Sequence, residues 1–280
     1  MENSLKIRTL QALNIVAFLV MAGFNALAEI LPINDKTTRQ LSDQYPNLFT
    51  PAGFTFSIWS VIYLLLLAFT IFQASGFFSK KVSPTVAALH KAVGLDFVLT
   101  SFLNASWIIV WHFEWVALSV VIMLIMLYLL VNTLLNVTNM SKEIKTSERF
   151  LIRASFGLYT GWISMAAIAN ITVFLVWAGW DGFGLSPEFW TAAMIGTGTI
   201  ITLFMLFKTE NAYYGLVVIW ALFGIMAKQY EQVPPERMIV LISALCLIII
   251  AVITIIYGVR SFFRKTRDYS HPLRSQSLFS

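Results

Sequence analysis

The sequence predicts an all-α, polytopic integral membrane protein of eight helices. Eight apolar stretches, most of them about the 20 residues that a ~30 Å hydrocarbon core requires, fill the greater part of the chain. Hydrophobic residues make up 58% of the sequence and charged residues 12%, with a mean hydropathy of +0.77. Short polar links separate the stretches. In lipid every backbone N–H and C=O must be satisfied within the protein, so each stretch is read as a helix.

The first span runs over Leu10–Leu31 behind the basic residues Lys6 and Arg8. Ala26-Leu27-Ala28 also fits a signal-peptide cleavage site, but the apolar run continues through Ile30-Leu31 and is longer than a usual leader core. The link Pro32–Thr50 is the longest in the chain. Spans two to four follow at Pro51–Phe72, Pro84–Trp111 and Trp115–Thr138. Ser83-Pro84 reads as a helix cap followed by proline at the first helical position. The fifth span, Leu151–Trp177, follows the charged link Lys142–Arg153. Ser186-Pro187-Glu188 caps the sixth, Phe189–Phe207. Ala212–Ala227 is the seventh and shortest, and Pro234-Pro235-Glu236 opens the eighth, Met238–Tyr257. No interrupted helices recur in matching positions of two halves, as an inverted-repeat transporter would show. The division expected is a five-helix unit over 1–180 and a three-helix extension over 181–280 with a basic tail.

The net charge of +5 does not point to nucleic acid. With the N-terminus in the cytoplasm, only Lys36, Arg39, Lys228 and Arg237 fall outside, and the other fifteen of the nineteen Lys and Arg fall inside. That bias is the positive-inside rule, with eight spans and both termini cytoplasmic. The tail Arg260–Arg274 then serves topology and anionic lipid. The one cysteine, Cys246, has no partner in the chain for a disulfide. Five of the nine tryptophans, Trp111, Trp115, Trp177, Trp180 and Trp190, fall at outer helix ends and fit an interfacial belt.

Function must lie in the remaining polar and aromatic residues. In span five Tyr159, Trp162, Ala166 and Asn170 lie within about 80° of one another on one helix face. Gly157, Gly161, Ser164 and Ile168 lie on the opposite face, a small-residue seam suited to close helix approach. Thr100, Asn104, Trp107 and Trp111 form a stripe on span three, and Trp59, Tyr63, Leu66 and Thr70 another on span two. Amides of this kind also serve simply as polar glue between membrane helices. Flat aromatic walls with a few polar groups equally suit a large apolar ligand.

Trp59-Ser60-Val61-Ile62-Tyr63, Leu103-Asn104-Ala105-Ser106-Trp107 and Tyr159-x-x-Trp162-x-x-x-Ala166-x-x-x-Asn170 carry a likeness. Over roughly Leu10–Trp180 the chain resembles the TspO/translocator protein family, the tryptophan-rich sensory proteins. The resemblance implies a five-helix membrane bundle, of a bacterial-type plasma membrane here. It also implies a pocket for porphyrins, sterol-like lipids or drug-like aromatics beneath the loop joining helices one and two. The implied ligand-binding residues are Trp59, Tyr63, Asn104, Trp107, Tyr159, Trp162, Ala166 and Asn170, with Arg39, Phe49 and Pro51 in a lid loop. Phe49 stands where the family has Trp, Ala52 replaces a Pro, and spans six to eight, with Trp220, have no counterpart in the five-helix family.

Three functions compete. The first is a receptor or sensor for a hydrophobic aromatic ligand, with Arg39 or Lys36 pairing ligand carboxylates. The second is a transporter; Glu29 and Asp96 are the only acids within the spans, both near ends, and Asp96 is expected at the cytoplasmic interface or paired with Lys91. The third is porphyrin breakdown. No nucleophile–base pair, metal-ligand cluster or phosphate loop is visible, and His90, His112 and His271 are scattered. No cofactor is expected as a requirement; the porphyrin would be a ligand. The expected partners are the bilayer, a hydrophobic small molecule and, through the small-residue seam, a second copy of the chain.

Overall fold

A computed structural model of the chain describes residues 2–31, 33–78, 82–140 and 146–269. Pro32, Lys80, Lys81, Lys142, Lys145, His271 and Arg274 lie outside the described residues, as do the side chains of Arg264, Lys265 and Arg267. All regular structure among the described residues is helical. The helices are α1 (Glu2–Ile30), α2 (Thr38–Asp43), α3 (Ile58–Gln73), α4 (Pro84–Val93), α5 (Asp96–His112), α6 (Val116–Asn139), α7 (Thr146–Trp177), α8 (Pro187–Thr209), α9 (Ala212–Tyr230) and α10 (Arg237–Tyr269). Among the described residues, seven apolar segments are long enough to span a bilayer, and α4 with α5 makes an eighth if the bent pair counts as one.

The caps read from the sequence form as hydrogen bonds. Ser83 Oγ accepts from the Val86 N–H at 3.2 Å, and Ser186 Oγ from the Phe189 N–H at 3.3 Å. Each satisfies one of the donors that a helix start leaves open. Two elements differ from the sequence reading. The second span does not start as α-helix at Pro51; a 3-10 segment over Gly53–Ser57 precedes α3. The third span is broken, with α4 and α5 meeting at 53°. Gly94 makes the corner at φ 53°, ψ −129°, a conformation that a Cβ disfavours. Asp96, just past the corner, is paired across to α6: it accepts from Asn132 Nδ2 at 2.7 Å and from Thr133 Oγ1 at 3.3 Å. Those donors, rather than Lys91, set its position.

α7 is the hub. α6 and α3 pack on one flank and α9 on the other; α1 lies against α5 and α3, and α10 bridges α8 and α9. Phe69, Phe97 and Phe156 knit α3, α5 and α7, the Phe69–Phe156 rings lying 4.9 Å apart and edge-on. The glycine seam of α7 is filled from within the chain. A Cβ at Gly157 would meet the Asn211 side chain at 2.6 Å, and one at Gly161 would meet the Tyr214 carbonyl oxygen at 2.9 Å. The Tyr214 hydroxyl donates to Ser164 Oγ at 2.7 Å on the same seam. The surface that suggested homodimerisation is therefore the α7–α9 interface.

Candidate functional site

The polar and aromatic face of α7 divides into two layers. In the deeper layer Asn104 of α5 is the centre of a hydrogen-bonded knot. Its Oδ1 accepts from Asn25 Nδ2 of α1 at 2.7 Å and from the Tyr63 hydroxyl of α3 at 3.4 Å. Its Nδ2 donates to the Tyr159 hydroxyl of α7 at 3.1 Å. Trp59 stacks on Tyr63 at 5.4 Å and meets Tyr159 and Trp162 edge-on at 6.2 and 6.0 Å. One side chain thus ties four helices together, and the indole seals the group on one side.

The layer nearer the lid is open. A cavity of about 70 Å³ lies beside Trp107 and Trp111 of α5, Met123 of α6, and Trp162, Met165, Ala166, Ala169, Asn170 and Val173 of α7. Phe56, from the 3-10 segment, is a further lining residue. Ser42, Phe49 and Pro51 line it from the lid, and Ala221 and Ile225 from α9. That volume is well below the roughly 300–1,000 Å³ of a pocket that encloses a drug-sized molecule, so a larger ligand would seat only part of itself there and extend through the open mouth. Its polar groups are few and mostly matched. Asn170 Oδ1 accepts from Trp107 Nε1 at 3.0 Å, and Asn170 Nδ2 donates to Ser119 Oγ at 2.9 Å. Trp111 stacks on Trp107 at 5.3 Å and donates its N–H to the Thr38 carbonyl at 3.4 Å.

Of the residues expected from the sequence, Trp107, Trp162, Ala166, Asn170, Phe49 and Pro51 line the cavity. Tyr63, Asn104 and Tyr159 form the knot below it, and Trp59 packs behind Trp162. Arg39 lies on the outer rim of the lid, its side chain 62% exposed and 3.7 Å from Asp43. Trp111 is a correction to the interfacial belt: α2 covers it, it is 4% exposed, and it walls the cavity. Asn25 and Ser119 were visible only as polar residues within apolar spans. Ala221 and Ile225 share a helix face at i, i+4 spacing, but nothing in their types marks a site.

The lid is built and latched by short-range chemistry. Thr37 and Gln40 form a capping box that starts α2. Asn47 Oδ1 accepts from the N–H groups of Phe49 and Thr50, at 3.0 and 2.8 Å, and turns the chain so that Phe49 is buried. On one side Lys36 pairs with Glu114 at 2.8 Å, and the Tyr45 hydroxyl donates to the same carboxylate at 3.0 Å. The Lys36 hydrogen bond holds the Glu114 carboxyl below the usual carboxylate range, against desolvation, while burial first and the bond to Glu114 second push the Tyr45 hydroxyl up. On the other side α9 holds the lid. Lys228 pairs with Asp43 at 3.2 Å, Gln229 Nε2 donates to the Leu48 carbonyl at 3.0 Å, and the Ala52 N–H donates to the Gly224 carbonyl at 3.0 Å. Trp220 donates to the Thr55 carbonyl at 2.9 Å. That bond, with edge-on packing against Phe54 at 5.5 Å, gives Trp220 its place: it anchors the start of the second span to α9.

The chain matches the family model described as TSPO-like protein over residues 11–257, from α1 to near the end of the apolar part of α10. Searches of curated proteins and of solved structures give no match. The three helices beyond the five-helix resemblance thus fall inside the match; α8 and α9 pack on α7, and α10 packs on α8 and α9. With its apolar membrane-spanning helices and a family match that reaches from the first of them into the last, this multi-pass membrane protein belongs to the TSPO-like family.

Proposed function

We propose that the protein is a membrane receptor or sensor that binds a flat, hydrophobic, aromatic or sterol-like ligand in the cavity beneath the lid. The carrying observation is the cavity itself: three tryptophans and apolar side chains line a small, partly open apolar space at the seam of α5, α7, α9 and the lid. Aromatic pairs of this kind contribute roughly 0.5–1.5 kcal/mol beyond burial, enough for several faces together to hold a planar ring. The lid end is taken as extracytoplasmic, on the positive-inside distribution of Lys and Arg, which sets both termini in the cytoplasm. The break at Gly94 is a feature that transporters use, but it stands 13 residues, or about 20 Å along the helix, from Trp107. Binding and sensing fit that separation better than passage through the break.

The test is a titration of the detergent-solubilised protein with a porphyrin, using tryptophan fluorescence as the readout. Saturable quenching is expected, and Ala166→Phe, which fills the cavity, should weaken it at least tenfold. Quenching that never saturates, or that ignores Ala166→Phe, overturns the receptor reading.

A further inference from the structure

We infer that the cavity selects an uncharged ligand bearing a hydrogen-bond acceptor and discriminates against carboxylates. This rests on the receptor reading and narrows it. None of the lining side chains is charged. The Oδ1 of Asn170 is occupied by Trp107 and one N–H of its Nδ2 by Ser119, and the Trp111 N–H by Thr38. What remains for a ligand is the second N–H of Asn170 Nδ2, the Trp162 indole N–H, which has no hydrogen bond among the described residues, and the Ser42 hydroxyl, all from residues of the wall. Each can donate to a carbonyl or ether oxygen, and none neutralises an anion.

The cations around the mouth do not fill that gap. Lys36 is engaged by Glu114, while Lys228 and Arg39 converge on Asp43, at 3.2 and 3.7 Å. The guanidinium of Arg39 lies over Gly53, where a Cβ would collide with it, and outside the cavity lining. His112 is fully buried and turns Nδ1 to the Ile108 carbonyl at 2.6 Å. Arg237 is exposed at the start of α10. A carboxylate brought into the cavity would lose part of its water and find no counter-charge there, which disfavours it in an apolar site. The same ion pairs that latch the lid to α9 and to the α5–α6 turn therefore set the ligand's charge.

The experiment compares a porphyrin diacid with its dimethyl ester, which share one ring and differ in charge. Only the quenching that disappears in Ala166→Phe on α7 and in Ala221→Phe on α9 is counted, so that partition into detergent cancels and one misfolded variant does not decide the result. The ester is expected to bind at least tenfold more tightly than the diacid. Asp43→Asn, which releases Lys228 and Arg39, should narrow that ratio at least threefold by improving diacid binding. Diacid binding as tight as the ester, with both sensitive to the two Phe variants, overturns the charge selection and leaves the receptor reading intact. Quenching by neither probe that responds to those variants overturns both.

Discussion

At the scale of single residues, polar side chains in an apolar chain act by what they find opposite them. Asn104 and Asn170 carry the same amide and sit on neighbouring faces, yet one closes a four-helix knot and the other braces the wall of a cavity. Contacts of this type contribute about 0.6 kcal/mol each on average in membrane helices, so their value here is in fixing geometry. Outside the spans the residue to watch is Glu114. Its folded pKa is depressed, so its contribution is complete above the ordinary value of 4.5 and is lost as pH falls through the lower folded value. Both partners are about a third exposed, at 34% and 35%, so the global effect is small and the local one is the readout. Protection of the lid amides over 33–50, taken relative to their intrinsic exchange at each pH, should fall as pH drops below about 4.5, and Glu114→Gln should remove that part of the fall. An acid response unchanged in the variant would show that the Lys36–Glu114 pair does not hold the lid.

At the scale of elements, α7 works because its two faces differ in kind. One presents rings and amides to α3, α5 and α6; the other presents glycines and Ser164 to α9. Gly161→Leu would drive a branched side chain into Val217 and the Tyr214 backbone, and overpacking of that sort costs typically 1–3 kcal/mol. Gly196→Ala on α8 meets open space and removes only a poor helix former. Thermal unfolding in detergent should therefore fall clearly for Gly161→Leu and stay level or rise for Gly196→Ala. Equal melting temperatures for the two would contradict the seam. The motif Gly157-x-x-x-Gly161 was legible as a packing face, because small residues at that spacing leave room for a backbone. Its partner was not, since the motif describes the hole and not the helix that enters it.

At the scale of the whole molecule, α9 completes the wall of the cavity. α9 supplies Ala221 and Ile225 to the cavity and four contacts to the lid and second span, through Lys228, Gln229, Gly224 and Trp220. A fragment of residues 1–185 retains every motif of the five-helix resemblance but lacks that wall and exposes the glycine seam. It is expected to lose saturable porphyrin quenching and to run as mixed oligomers in size-exclusion chromatography. A monodisperse fragment that binds as the full chain does would show that α9 only covers the bundle.

The sequence by itself determined the solvent, the helices and the stripes. An apolar stretch in lipid has no alternative to helix, and 3.6 residues per turn then assigns Tyr159, Trp162, Ala166 and Asn170 to one face. It also held the aromatic residues of the lid and wall, Phe49, Trp107 and Trp162. Tertiary structure alone decided which of these line the cavity and which are spent in the knot, because Asn25 of α1 and Ser119 of α6 arrive from helices far away in sequence. It decided the break at Gly94, where hydropathy runs on without interruption while one positive φ turns the chain. And it decided that α9 fills the seam of α7. Periodicity fixes the direction in which a side chain points along its own helix, whereas the neighbour it meets depends on how all the helices share one packed interior.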